Sequence, residues 1–119
     1  MKKRVVVTGL GCVTPIGIGK EEFWKALIEG VSGVDLITKF DTIDYPTKIA
    51  AEVKDFQPES FIDKKDVKKM DRFTQFAVVA SKLAVDDAGL NIDEVESEKF
   101  GVILGSGIGG IETFEEQNK

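Results

Sequence analysis

Histidine is absent from the 119 residues, and cysteine, tryptophan and tyrosine occur once each. Without an imidazole the chain alone builds no Ser-His or Cys-His nucleophile and no histidine-metal site. A single cysteine, Cys12, forms no internal disulfide, which agrees with a reducing compartment. Basic charge is in deficit, with 16 Lys and Arg against 21 Asp and Glu for a net charge of -5. That balance argues against nucleic acid as the main partner, because phosphate binding needs a basic surface. No apolar run approaches the roughly 20 residues that span a bilayer, and Val5 to Val7 is too short for a signal-peptide core. The expectation is a cytoplasmic protein with no nucleic acid or membrane partner and no metal.

Apolar residues make up 42% of the chain, enough for a real core. Lys3 to Thr8 reads as a buried strand bounded by Gly9 and Gly11, because β-branched residues favour extended chain. A helix is predicted over Lys20 to Glu29, with Phe23, Trp24, Leu27 and Ile28 on its apolar face and Gly30 ending it. Residues 31 to 53 are irregular around Pro46, with a short strand within Lys48 to Val53. Pro58 opens a second helical region through Phe61 and Ile62.

The clearest element runs from Asp71, a candidate N-cap, to Ala88, with Gly89 as the residue that ends it. Phe73, Phe76, Ala77, Ala80, Leu83, Ala84 and Ala88 share one face at helical spacing, and Val78, Val79 and Val85 widen it. Gly101 to Leu104 reads as a further buried strand. Strand, helix, small strand, helix, strand points to an α/β class with a partly parallel sheet. About three strands make a small sheet, so residues 1–119 are expected to be part of a larger domain.

Two glycine clusters invite a nucleotide reading. Gly105, Gly107 and Gly110 fit G-x-G-x-x-G, the pattern that lets backbone N–H groups approach a phosphate ahead of a helix. One such match is a weak signal, and the acidic residue that should follow about 20 positions later falls past Lys119. At Gly9 and Gly11 the third glycine is replaced by Thr14. The alternative is that glycines let the chain turn sharply or let another backbone or ligand pass close by. Ile108 then stands out as one branched apolar side chain among glycines. Cys12, in an apolar setting with no imidazole partner, reads as a buried, inert thiol.

Four stretches, RVVVTGLGCVTPIG, WKALIEGVSGVDLITKFD, KKMDRFTQFAVVASKLAVDDAGL and GVILGSGIGG, together resemble the N-terminal part of the β-ketoacyl-acyl-carrier-protein synthases, most like their synthase II branch. The resemblance covers essentially the whole chain in order. It implies a thiolase-like fold, in which each of two α/β halves is a layered α-β-α unit with a mixed sheet, and a homodimer. Residues 1–119 would be the N-terminal portion of the first half. The implied reaction, an acyltransfer of fatty-acid biosynthesis without a cofactor, is a decarboxylating Claisen condensation of an acyl thioester with malonyl-carrier-protein. The family's catalytic cysteine and two histidines lie downstream of the matched region, so no catalytic residue is expected here and Cys12 is not the nucleophile. A non-catalytic module that binds carrier protein or another chain is the alternative.

The resemblance also assigns two sites. Lys65, Lys68 and Lys69 match a docking surface for acyl carrier protein, with Lys64 beside them. Lys64 to Arg72 holds five basic and two acidic residues, a local charge of +3, and such a patch steers an acidic carrier protein. Gly107, Ile108 and Gly109 match the border of the acyl pocket, where Ile108 would gate chain length.

Overall fold

The computed structural model describes residues 2–119, which divide into two compact units: residues 2–11 with 57–119, and residues 12–56.

The smaller unit holds two short ladders and one helix. Strands β1 (Val13–Thr14) and β2 (Gly17–Ile18) pair antiparallel, Val13 opposite Ile18 and Thr14 opposite Gly17. The Thr14 hydroxyl donates to the Gly17 carbonyl at 2.8 Å and closes the turn. Helix α1 (Lys20–Ile28) carries Glu21 and Glu22 in its first turn, where the helix dipole favours acid. It ends at Gly30 with φ 68°, a left-handed turn that glycine makes without penalty. Its buried residue is Ala26; of the apolar face expected from periodicity, Phe23 is half-buried, while Trp24, Leu27 and Ile28 are exposed. Strands β3 (Asp35–Leu36) and β4 (Ile49–Ala50) form the second ladder; β3 lies in a stretch read as irregular. Lys54 pairs with Asp35 at 2.9 Å, and Glu52 accepts the Thr38 hydroxyl at 2.7 Å. These bonds hold both carboxyls below the ordinary carboxylate range.

The larger unit is organised by three helices, α2 (Lys64–Val67), α3 (Arg72–Asp87) and α4 (Ile111–Gln117), with 3-10 turns at Pro58–Ser60, Ile92–Glu94 and Ser97–Lys99. α3 matches its predicted span, and Gly89 follows it at φ 59°. Its buried side chains are Val79 and the polar Gln75. Gln75 donates from Nε2 to the carbonyls of Met70 at 3.0 Å and Val67 at 3.2 Å. A buried amide needs such partners, and here it ties the end of α2 to the start of α3.

The two expected buried strands differ from their reading. Residues 3–8 and 101–104 join no ladder among the described residues, and Val5 and Ile103 are 91% and 97% exposed. Their β-branched composition selects extended chain, but a strand needs a neighbour to hydrogen-bond with. The segment that follows the first of them is anchored differently. Gly9 and Gly11 lie directly on the backbone of α3, along the row Ala80, Ala84 and Ala88. A Cβ on Gly9 would come within 2.7 Å of the Ala88 nitrogen, and one on Gly11 within 2.9 Å of the Leu83 Cβ. Between them the Leu10 N–H donates to the Asp87 carboxylate at 2.9 Å. Residues two apart point to one side of an extended chain, and residues four apart share one face of a helix. The glycine pair and the alanine row are therefore the two sides of one close packing.

Candidate functional site

The basic turn is built on two apolar anchors. Ile62 and Val67 are buried, while Lys64, Lys65, Lys68 and Lys69 are exposed. In so short a helix the inward side chains set which way the rest face. Lys69 pairs with Asp66 at 3.3 Å, an exposed pair that contributes about 0–1 kcal/mol. Lys65 and Lys68 make no ion pair among the described residues. The Arg72 guanidinium lies 5.1 Å from the centroid of the Phe76 ring, a cation-π distance.

The glycine turn lies at the same end of α3. Gly105 and Gly107 border open space, and Gly109 has φ 80°. A Cβ at Gly109 would sit 3.7 Å from the Phe73 ring, so that ring supports the turn from below. Gly110 rests against the carboxylate of Asp71, which also accepts the hydroxyl of Thr113 on α4. Ile108 projects from the turn and is 80% exposed. Asp71 follows the lysines directly in the chain, and with Phe73 it touches the glycine turn. The first residues of α3 thus connect the two groups that the sequence singled out separately. Periodicity marks Asp71 only as a cap and Phe73 only as a core residue, and it gives no sign of Gln75. No local pattern marks a contact between positions 71 and 113.

A cavity of about 300 Å³ opens along α3, lined by Ala77, Val78, Ser81, Val85, Ile92 and Leu104 among others. Gly107, Ile108 and Gly109 do not line it. The nucleotide reading also loses its context, because no strand precedes the glycine cluster among the described residues. The same residues contain no cluster of metal-binding side chains.

Cys12 lies in the smaller unit at the foot of the β1–β2 hairpin, half-buried, with its carbonyl accepting the Gly19 N–H at 2.8 Å. Burial pushes its thiol pKa up, and the Gly19 backbone opposes this in part. The thiolate is the reactive form, so Cys12 is expected to alkylate with iodoacetamide more slowly at pH 7.5 than a free cysteine. Mass spectrometry of the labelled protein checks this; labelling as fast as that of a free cysteine would overturn this reading.

These features take on meaning from a comparison across families: the model described as the N-terminal domain of beta-ketoacyl synthase matches residues 2–119. The chain belongs to the β-ketoacyl synthase family. A 3-oxoacyl-[acyl-carrier-protein] synthase 2 of Synechocystis sp. is 49% identical over 116 residues, 98% of this chain and 28% of the relative. A protein of the same name from Staphylococcus aureus strain COL is 50% identical over 117 residues, with the same coverage. The chain therefore spans 28% of the length of these curated relatives. Among solved structures, the ishigamide ketosynthase/chain length factor superposes with a TM-score of 0.69 at 43% identity, over 76% of this chain and 22% of that one. The β-ketoacyl synthase segment thus has the thiolase-like α/β fold, and no helix among its described residues is long and apolar enough to cross a membrane.

Proposed function

We propose that the protein carrying this chain is a 3-oxoacyl-acyl-carrier-protein synthase of fatty-acid biosynthesis, and that this chain contributes substrate handling. The observation that carries the reading is 49–50% identity, over 98% of the chain, to proteins of that name. In the proposed reaction a cysteine thiolate takes the acyl group from its carrier thioester and releases the carrier thiol. Malonyl-carrier-protein loses CO2, its α-carbon attacks the enzyme-bound thioester carbonyl, and the cysteine thiolate leaves. Residues of the family beyond those of this chain supply these groups, since it has no histidine and Cys12 has no imidazole to activate it.

Lys65, Lys68 and Lys69 receive the acidic acyl carrier protein. Their exposure and local positive charge in an acidic chain support the role. Gly107, Ile108 and Gly109 border the acyl channel. A branched side chain on a turn with little steric restriction supports a chain-length gate at Ile108. A cytoplasmic homodimer completes the reading.

The test is condensation by the natural gene product, measured as CO2 release from malonyl-carrier-protein with acyl-carrier-protein primers of graded length. Ile108→Phe should lower kcat/KM for the longest accepted primers about tenfold or more and spare the shortest, because overpacking a tight site costs about 1–3 kcal/mol. No CO2 release by the wild-type protein would reject the synthase assignment. An unaltered length profile in the variant would reject only the gate.

A further inference from the structure

Asp71 stands at the N-cap of α3, yet its side chain makes no cap hydrogen bond there. It forgoes the local bond for which aspartate is favoured at this position. The carboxylate instead accepts the Thr113 hydroxyl on α4, 42 residues along the chain. It also lies against Gly110, where a Cβ would come within 3.0 Å of the carboxyl carbon. A negative group beside the first turn of α4 is favoured by that helix's dipole. The turn that precedes α4 has glycine at positions 105, 107, 109 and 110 and so has little stiffness of its own.

We propose that Asp71 and Thr113 form a clasp that fixes the glycine turn, and with it the position of Ile108. Both are positioning residues: neither bears on an acyl chain directly. The consequence for acyl length rests on the reading of Ile108 above, whereas the clasp itself does not. Gly110 is part of the device, because any side chain there takes the place of the carboxylate. The contact also joins the lysine turn to the glycine turn, since Asp71 follows Lys68, Lys69 and Met70 without a break.

Hydrogen–deuterium exchange on the natural gene product tests the clasp, with peptides covering residues 105–117 and, separately, 72–88. Thr113→Val removes the hydroxyl while keeping the shape, and exchange across residues 105–117 should rise about three- to tenfold, the net effect of one lost hydrogen bond. Residues 72–88 should not change, because the Asp71 side chain does not cap α3. Thr113→Ser should restore wild-type exchange, and Gly110→Ala should reproduce the Thr113→Val pattern. Unchanged exchange at 105–117 in Thr113→Val would overturn the clasp, as would an equal rise in both regions.

The primer-length profile then separates this inference from the reading beneath it. If Ile108→Phe shifts the profile and Thr113→Val broadens it, the clasp sets specificity. If Ile108→Phe shifts it and Thr113→Val does not, the clasp has no role in specificity. If neither shifts it while exchange rises, the gate is rejected and the clasp stands.

Discussion

Lys65→Glu combined with Lys68→Glu should lower kcat/KM for carrier-protein-borne substrates by about 10- to 100-fold, within the range that electrostatic steering spans. Condensation from small soluble thioesters should change by less than about twofold, the scatter of a surface substitution. The argument begins with the anchors. Buried Ile62 and Val67 turn the lysines outward, and neither Lys65 nor Lys68 has a carboxylate partner among the described residues. Reversing both changes the local charge by four units where an acidic partner is proposed to arrive. The loss should fall mainly on association and should shrink as salt rises past physiological strength, where the Debye length drops below about 8 Å. Lys69→Glu alone should do less, because Asp66 already offsets that charge at 3.3 Å. Stopped-flow association and steady-state assays at two salt concentrations check this. Equal losses on carrier-borne and free thioesters would reject steering.

Gly11→Ala should destabilise the protein by about 1–3 kcal/mol, the range for overpacking a close contact. The added Cβ would meet backbone atoms of α3, including the Ala84 nitrogen at 2.5 Å, and a helix backbone cannot swing aside as a side chain can. Gly9→Ala should behave alike, since its Cβ would lie 2.8 Å from the Ala88 Cβ. Against a typical total of about 5–15 kcal/mol this is a large loss. Urea denaturation should show a lower midpoint at an unchanged slope. A midpoint equal to wild type would mean that the glycines only permit a turn and do not admit the helix.

Where neighbours in sequence decide the structure, the reading was close. α1 and α3 occupy their expected spans, and Gly30 and Gly89 end them at φ 68° and 59°. Helical periodicity and the steric freedom of glycine are local properties. Where distant neighbours decide, the reading failed in specific ways. The runs at 3–8 and 101–104 have strand composition but no ladder, and Ala26 is buried in place of the larger Trp24. Gln75 carries no signal in the helical periodicity, yet it is buried, because the carbonyls of Val67 at the end of α2 and of Met70 just after it accept its amide N–H groups.

The amino-acid sequence by itself determined the family, the helix spans, the basic turn and the lack of any histidine-based chemistry, because each depends on residue identity and short spacing. Only the tertiary structure decided that Gly9 and Gly11 seat the chain on α3, and that Asp71 reaches Gly110 and Thr113. Contacts between positions some 40 to 80 apart leave no periodic trace. They exist only once an extended segment or a turn is laid against a helix whose small or polar residues leave room for it.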